Sequence, residues 1–230
     1  FKTLQSFVLR KDERSTKMKN KETLAEIIGI MLGDGCLYKG HGSYQTIITS
    51  GKNEREWIMY VKNLFENYFE KTFKIVEIKY GIQAKCHSKE ILEKFLEVGL
   101  CHGNKVHNKV TIPPWLFLKR KYLIKTVQGL FDTDGCVYNK YGKYAQIEFK
   151  FGCEETTISV CNAVSNLGFN TTKVQKQYNN ATGKYRWRFY LCRQKEIDLF
   201  FDIIKPKNSK HIERYKKIRS GDTGTFKWKR

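Results

Sequence analysis

Apolar residues recur at helical spacing in two stretches of the chain that lie about 100 residues apart. The first stretch consists of Leu24, Ile27, Ile28, Met31 and Leu32. The second consists of Leu123, Ile124, Val127, Leu130 and Phe131. Steps of three and four residues place such side chains on one helix face. Each stretch leads into an aspartate followed by glycine, in GDG at 33–35 and TDG at 133–135. The pattern therefore predicts two buried helices with similar ends.

The same order of elements follows each of these helices. Behind the first, the pattern predicts a strand over 43–50, a helix over 54–69, strands near 72–79 and 81–87, and a helix over 88–100. Behind the second, it predicts a strand over 143–151, a helix over 155–167, strands near 171–178 and 185–192, and a helix over 193–204. Each half is typical of αββαββα. The chain is thus predicted to be an α+β protein made of two diverged copies of one fold.

The repeat also sets the expected domain boundaries. An N-terminal arm covers 1–20, the first repeat 21–100, a connector 101–122, the second repeat 123–218, and a basic tail 219–230. The offset between the copies grows from about 100 to about 106 because the second copy carries extra residues in YNNATGKY, a turn-rich hairpin tip where insertion costs little.

The charge of the chain indicates a polyanionic partner. Lys and Arg number 43 against 23 Asp and Glu, which gives a formal net charge of +20. Nucleic acid is the first candidate. The sequence contains no apolar run of the roughly 18 residues that a membrane span needs, and no signal-peptide pattern. We therefore expect an intracellular protein, in the cytoplasm, nucleoid or an organelle, that is neither secreted nor bound to a membrane.

The seven cysteines do not predict a disulfide framework or a zinc site. Their number is odd and no C-x-x-C occurs. His87, His102 and His107 lie near Cys86 and Cys101, but their spacing does not suit tetrahedral zinc.

Asp34 and Asp134 are the candidate catalytic acids. A carboxylate in the last turn of a helix sits at the negative end of the helix dipole. Two such carboxylates brought together repel each other, unless a hard divalent cation lies between them. The alternative is that each Asp-Gly is only a turn or a helix cap. The repetition, each time with Gly five residues before the Asp and GCxY after it, favours a shared function.

Small residues precede each acid and predict close helix packing. Gly29 and Gly33 lie on one helix, and Gly129 and Thr133 occupy the matching positions on the other. Faces without bulky side chains let two helix backbones approach each other. We expect these four residues to form the contact between the two helices.

The segments IIGIMLGDG (27–35) and VQGLFDTDG (127–135) resemble the two signature helices of a LAGLIDADG homing endonuclease of the single-chain, two-repeat type. This resemblance implies two repeats related by a pseudo-twofold axis, with the signature helices packed at the centre. A curved antiparallel sheet from each half would lie in the DNA major groove. The eighth motif residue is the family's catalytic, metal-binding acid, and it maps onto Asp34 and Asp134. The first copy departs from the pattern at Leu32, where the second copy keeps the polar Asp132.

The resemblance and the residues together indicate further site residues. The predicted metal site comprises Asp34 and Asp134 with the preceding Gly33 and Thr133, and it would hold Mg²⁺. Mn²⁺ would substitute for Mg²⁺, and Ca²⁺ would support binding without cleavage. Lys105 and Lys150 are the candidate catalytic lysines. Alternation along YRWRFYLC and AQIEFKF predicts a DNA-binding face, since polar side chains there share one side of the strands. The candidate DNA-binding residues are Thr49, Glu148, Lys150, Lys173, Gln175, Gln177, Arg186, Arg188 and Tyr190.

The resulting hypothesis is a monomeric, sequence-specific, Mg²⁺-dependent endonuclease that cuts double-stranded DNA and promotes the mobility of an intron or intein. Two alternatives use the same scaffold. One is a maturase that binds its host intron RNA. The other is a DNA-binding regulator without cleavage activity, against which the retention of both acids argues.

Overall fold

A computed structural model of the chain describes residues 21–180 and 182–221. The expected arm over 1–20 and the tail from 222 onward lie outside the described residues. The described part contains two halves, and each builds one four-stranded antiparallel sheet with helices packed on one face. The predicted α+β class with two αββαββα repeats is confirmed.

The first half begins with a helix that covers residues 21–32, here called α1. It continues through β1 (Gly35–Gly40), β2 (Ser43–Ser50), α2 (Arg55–Phe69), β3 (Lys74–Ile78), β4 (Gly81–His87) and α3 (Lys89–Glu97). Its strands lie in the order β1-β2-β4-β3.

The second half repeats this arrangement and adds one helix. A connecting segment with a short 3₁₀ helix (Pro114–Leu118) leads into α4 (Arg120–Asp134). There follow β5 (Gly135–Tyr141), β6 (Tyr144–Phe151), α5 (Glu154–Asn166), β7 (Gln175–Asn179), β8 (Lys184–Leu191), α6 (Gln194–Ile204) and α7 (Ser209–Ser220). The strand order β5-β6-β8-β7 matches that of the first sheet.

Each sheet has one buried face and one open face. In β8, Phe189 and Leu191 are buried in the core, whereas Arg188 and Tyr190, which alternate with them, are only half-buried. In β4, Ile82 and Ala84 are buried and Gln83 is half-buried. Successive side chains of a strand point to opposite faces, so the apolar set packs under the helices and the polar set lines the open face. These open faces are the surfaces available to a large ligand.

The structure differs from the expectation at the two motif helices and at the chain end. The sequence assigned no element to 35–40 and 135–141, yet β1 and β5 start directly after each acid and complete the hairpins. Helix α4 starts at Arg120, before the expected boundary at 123, because Tyr122 is buried against Trp115 and extends the buried face by a turn. Helix α7, which the sequence reading did not identify, reaches two residues into the expected tail.

Within the described ranges, no helix combines the length and apolarity that crossing a membrane would require.

Candidate functional site

Helices α1 and α4 touch through their small residues. A Cβ added to Gly29 would lie 2.2 Å from the Thr126 carbonyl oxygen, and one added to Gly129 would lie 2.4 Å from that of Glu26. Further along, a Cβ on Gly33 would lie 2.0 Å from Thr133 Oγ1. The Thr133 hydroxyl itself donates to the Gly129 carbonyl oxygen at 2.9 Å within its own helix. The four predicted interface residues therefore lie where the two helices meet.

This contact brings Asp34 and Asp134 together at the ends of the helices. A Cβ on Gly33 would lie 3.0 Å from Asp134 Oδ2, which shows how closely the second acid approaches the first motif. Both aspartates are only partly exposed. Burial, and after it the charge of Asp134, raises the pKa of Asp34 from 3.8 to about 7. Burial likewise raises the pKa of Asp134. The site thus holds two acids in surroundings that disfavour their negative charge.

Lys105 caps the end of α1 from the connecting segment. Its ammonium donates to the carbonyl oxygens of Leu32 at 2.9 Å and Met31 at 3.3 Å, and also to that of Gly33. Burial lowers the pKa of Lys105, and the charges of Asp134 and Asp34 oppose this effect. Lys105 therefore places a positive charge beside both acids.

The connecting segment fixes Lys105 by bonding to both halves. Gly103 N donates to the Leu37 carbonyl oxygen of β1 at 2.9 Å. The backbone N–H of Ile112 donates to Ser159 Oγ of α5 at 3.0 Å. The segment is held at both ends, so the lysine between them has a defined position.

Lys210 is a second lysine at the site, and the sequence analysis did not predict it. It lies on α7, and its charge lowers the pKa of both Asp34 and Asp134 against the effect of burial. Lys210 Nζ lies 2.5 Å from Glu54 Oε1. The signal was the repeat itself, because Lys105 shifted by the offset of about 106 falls beside Lys210.

Glu54 and Asn208 position Lys210. Asn208 Nδ2 donates to Glu54 Oε1 at 2.9 Å and to the Asp132 carbonyl oxygen at 3.0 Å. Burial opposes the charge of Glu54, but hydrogen bonds from Lys210 and Asn208 outweigh burial and hold its pKa at about 2. Glu54 is therefore an ionised anchor for the lysine.

Asp132, the polar residue that the first motif replaces with Leu32, anchors the turn before α7. Its buried carboxylate accepts hydrogen bonds from the backbone N–H of Lys207 at 2.9 Å and of Asn208 at 2.9 Å. Burial raises the pKa of Asp132 to about 7, although these two hydrogen bonds lower it. Asp132 thus has a structural role that supports the helix carrying Lys210.

The donor atoms at the site suit a hard divalent cation. Asp34 and Asp134 supply carboxylate oxygens, and Gly33 supplies a carbonyl oxygen that already attracts the ammonium of Lys105. Mg²⁺ binds oxygen ligands of this kind and neutralises adjacent carboxylates. The two aspartates and the Gly33 carbonyl could hold such an ion. In the described ranges, no group of three or more His, Cys, Asp or Glu side chains forms a metal cluster.

A cleft extends from the second acid toward the open face of the second sheet. Asp134, Lys105, Lys150 and Arg186 all line it. The register pairs Lys150 of β6 with Arg188 of β8, which places both on the open face. Lys150 therefore lies near the acids at the mouth of the cleft.

The other candidates from the second half lie on or beside the same open face. Glu148 pairs with Tyr190 in the ladder, and Arg188 Nη1 donates to Glu148 Oε1 at 3.4 Å. Gln175 pairs with Arg188, and Gln177 with Arg186. Lys173 is exposed just before β7, which starts four residues later than the predicted strand.

The first sheet carries a comparable open face, of which the sequence reading identified only Thr49. Thr49 pairs with Gln83, whose Nε2 donates to Thr49 Oγ1 at 3.2 Å. Lys85 pairs with Lys74 on the edge strand. The alternation of buried and polar residues in IQAKCH was the available signal. The missed residues on this face are Tyr38, Gln45, Lys74, Gln83, Lys85 and His87.

Comparisons with solved structures support the same architecture. Mesophilic variants of the homing endonuclease I-DmoI are similar, with a TM-score of 0.60 and 18% identity over 82% of this chain and 98% of that one. I-DmoI in complex with DNA and Ca has a TM-score of 0.59 and 17% identity, over 80% and 90% of the two chains. Full-length DUF199/WhiA from Thermatoga maritima has a TM-score of 0.56 and 14% identity, over 89% and 61%. No curated protein is significantly similar in sequence.

Family models match both halves of the chain in tandem. Residues 25–112 match the LAGLIDADG DNA endonuclease family, and residues 121–205 match the LAGLIDADG-like domain. Each match contains one motif helix, one acid and one sheet. The chain therefore belongs to the LAGLIDADG family, as a single-chain member with two repeats.

Proposed function

We propose that this protein is a sequence-specific endonuclease that hydrolyses phosphodiester bonds of double-stranded DNA with a divalent metal ion. One observation carries the proposal: both motif acids are present, side by side, at the ends of packed helices, and Lys105 and Lys210 flank them. Two adjacent acids would repel the phosphates of bound DNA, and carboxyl groups with raised pKa values are typical of catalytic sites. The arrangement suits a site in which a metal ion neutralises them.

The residues of the chain would divide the work as follows. Asp34, Asp134 and the Gly33 carbonyl would hold Mg²⁺, which activates water and stabilises charge on the phosphate when it is bound. Lys105 and Lys210, whose charges act on both acids, would stabilise the negative charge that develops on the phosphate oxygens. Lys150, at the mouth of the cleft, would contact the same phosphate or its neighbour.

The two open sheet faces would bind the target in the major groove. Arg186 and Arg188 present guanidinium groups that match a guanine edge, and Glu148 can accept from a cytosine amine. Gln175, Gln177 and Tyr190 would add polar contacts, with Thr49 on the first sheet and Lys173 at a phosphate. The contacts of Arg188 with Glu148 fix part of this face in advance.

The biological setting that we propose is the mobility of an intron or intein. The protein would act as a monomer inside the cell, in the compartment that holds the target DNA. Mg²⁺ would be the working ion, with Mn²⁺ as a substitute and Ca²⁺ supporting binding alone. I-DmoI has been crystallised in complex with DNA and Ca, with DNA and Mn, and with its target DNA in the presence of Mg, which fits this expectation.

A cleavage selection on a randomised duplex DNA library tests the proposal. With Mg²⁺, the wild-type protein should enrich one family of cut sites, and a variant with both Asp34→Asn and Asp134→Asn should enrich none. The same variant should still retain duplexes of that sequence in Ca²⁺.

The two alternative functions give different results in this assay. A regulator without cleavage activity would bind one duplex sequence and leave it uncut in Mg²⁺ or Mn²⁺. A maturase would leave every duplex in the library uncut and, in a separate binding measurement, would bind a folded intron RNA more tightly than any of these duplexes. Either result would overturn the endonuclease assignment.

A further inference from the structure

The strand registers allow the open faces of the two sheets to be compared position by position. Cys36 pairs with Ile47 in the first sheet, and Cys136 pairs with Glu148 in the second. Since the two cysteines hold the same place after their motifs, Ile47 corresponds to Glu148. This match extends across each sheet through its antiparallel pairs.

Three positions of the first open face carry an aliphatic side chain where the second carries a polar one. Ile47 corresponds to Glu148. Val76 pairs with Gln83 as Gln175 pairs with Arg188, so Val76 corresponds to Gln175. Ile78 pairs with Gly81 as Gln177 pairs with Arg186, so Ile78 corresponds to Gln177.

The arginines of the second face are also missing from the first. Gly81 stands in the place of Arg186, and Gln83 in the place of Arg188. A side chain at Gly81 would collide with the backbone, since its Cβ would lie 2.4 Å from the Ser50 carbonyl oxygen. The first sheet therefore offers no guanidinium group at these two positions.

The aliphatic side chains lie outside the core. Val76 is 40% exposed and Ile78 is 36% exposed, while Ile47 is half-buried on the same face. Lys74 and Lys85 pair with each other beside them, so the apolar groups lie on a basic surface. A basic face suits the phosphates of a duplex, and the thymine methyl is the apolar group that the major groove presents.

We propose that Ile47, Val76 and Ile78 form a thymine-methyl recognition surface, so that the half-site under the first sheet is read through thymine methyls and the other half-site through hydrogen bonds. The inference rests on the proposed DNA-binding function and adds to it. It predicts an asymmetric target whose two halves differ in chemistry as well as in sequence.

Exchange of thymine for uracil tests the surface, because it removes the methyl and keeps the base-pairing edge. The full-length protein first selects a duplex from a randomised library in Ca²⁺. Affinity is then measured for two versions of that duplex, each with dU in place of every dT in one half. Loss of a buried methyl costs about fourfold in affinity, so two or more contacts should weaken binding by tenfold or more in one half. Exchange in the other half should change affinity less than twofold.

Two matched variants connect the effect to the proposed residues. The triple variant Ile47→Gln, Val76→Gln, Ile78→Gln removes all three aliphatic groups and should bind the dT and dU duplexes within twofold of each other. The variant Gln175→Thr, Gln177→Thr, at the corresponding positions of the second sheet, should retain the tenfold difference. Circular dichroism of both variants checks that the sheets are folded.

The outcomes separate this inference from the proposed function. Tight, sequence-specific binding with no uracil effect in either half would overturn the methyl surface and leave the DNA-binding function standing. A uracil effect that persists in the Ile47→Gln, Val76→Gln, Ile78→Gln variant would also overturn it. Failure to select any duplex would overturn the proposed function and this inference with it.

Discussion

The surroundings of Asp34 and Asp134 are unfavourable for negatively charged carboxylates. Each carboxylate lies at the negative end of a helix, is partly buried, and has the other acid as a neighbour. Lys105 and Lys210 reduce the repulsion, and the pKa of both acids is nevertheless raised. A bound divalent cation would offset the remaining energetic cost of ionising the two carboxylates. Two predictions at the scale of single residues follow.

Replacing either acid should stop cleavage without stopping binding. Asp34→Asn or Asp134→Asn keeps the size of the side chain and removes the charge that holds the metal. Because we propose that the two acids share one ion, either variant should slow cutting of both strands by about 10³-fold or more. Affinity for the duplex in Ca²⁺ should stay within a few-fold. The measurement is single-turnover cleavage on a duplex labelled on each strand.

The matched control for these variants is Asp202→Asn, at an exposed position of α6. It makes the same change of charge away from the cleft and should cut at the wild-type rate. If one acid variant cuts one strand normally, the acids serve separate metal sites. Normal cutting of both strands by either acid variant would contradict their assignment.

The raised pKa of Asp34 should make Mg²⁺ stabilise the protein more at pH 8 than at pH 6. In the folded protein the Asp34 carboxyl group keeps its proton up to about pH 7, whereas in the unfolded chain it loses the proton near pH 3.8. The free energy of unfolding therefore falls as pH rises through this window. Mg²⁺ binds the ionised carboxylates of Asp34 and Asp134 and so restores the free energy of unfolding that is lost at high pH. The measurement is the Mg²⁺-induced rise in Tm at the two pH values.

Asp132 serves as the internal reference for this experiment. Its pKa is also raised to about 7, so it contributes to the dependence of stability on pH. It contacts the backbone at Lys207 and Asn208 instead of the metal site, so it does not contribute to the Mg²⁺ response. The response should be lost in Asp34→Asn. An equal rise in Tm at pH 6 and pH 8 would argue against metal binding by these acids.

At the scale of elements, the site is assembled by α1, α4, α7 and the connecting segment. Helices α1 and α4 supply the acids and touch through glycines, while the connecting segment and α7 each bring one lysine. Helix α7 is held through the turn that Asp132 binds. The geometry of the second lysine thus depends on a buried carboxylate that does not face the cleft.

We expect Asp132→Asn to be damaging, although the first motif has Leu32 at the corresponding position. An asparagine amide turned toward the N–H groups of Lys207 and Asn208 would replace an acceptor with a donor. This should lower the free energy of unfolding by about 1–3 kcal/mol, and cleavage should slow as Lys210 loses its place. Urea unfolding measures the first effect, and the strand-labelled cleavage assay measures the second.

Glu213→Gln is the matched control for that prediction, because it changes an exposed acid on α7 itself. It should leave both stability and cleavage unchanged. Wild-type stability in Asp132→Asn would show that the turn before α7 does not need the carboxylate.

The sequence predicted what repeats locally and missed what depends on distant contacts. Each pattern that the sequence revealed is local and spans only a few neighbouring residues. These patterns are the helical periodicity of α1 and α4, the acids that follow them, and the alternation in β6 and β8. The bonds of Lys105 to α1 and of Asp132 to the turn at Lys207 join residues more than 70 positions apart. The sequence around Lys210 does not indicate its contact with Glu54, which lies far away in the chain. Only the offset between the repeats could have identified Lys210 as a site residue.

At the scale of the whole molecule, one chain supplies both motif helices and both open faces. The site therefore forms within a single copy, which is why we expect a monomer on DNA. The net charge of +20 adds an attraction for phosphates that does not depend on sequence. In the proposed function, sequence specificity comes from the open faces, and the affinity for DNA depends on salt.

Binding to a duplex should weaken linearly as salt rises on a log-log plot, since each phosphate contact releases condensed counterions. The slope is about −0.9 per contact for B-form DNA.

Lys74 is exposed on the open face of the first sheet, at its edge strand, so Lys74→Gln should make the slope shallower by about one. Lys195→Gln, at an exposed position of α6, changes the net charge equally and should leave the slope unchanged. Fluorescence anisotropy in Ca²⁺ at several salt concentrations gives all three slopes. A wild-type slope near zero would exclude a phosphate-contacting interface, and equal slopes for the two variants would mean that net charge, and not the open face, sets the attraction.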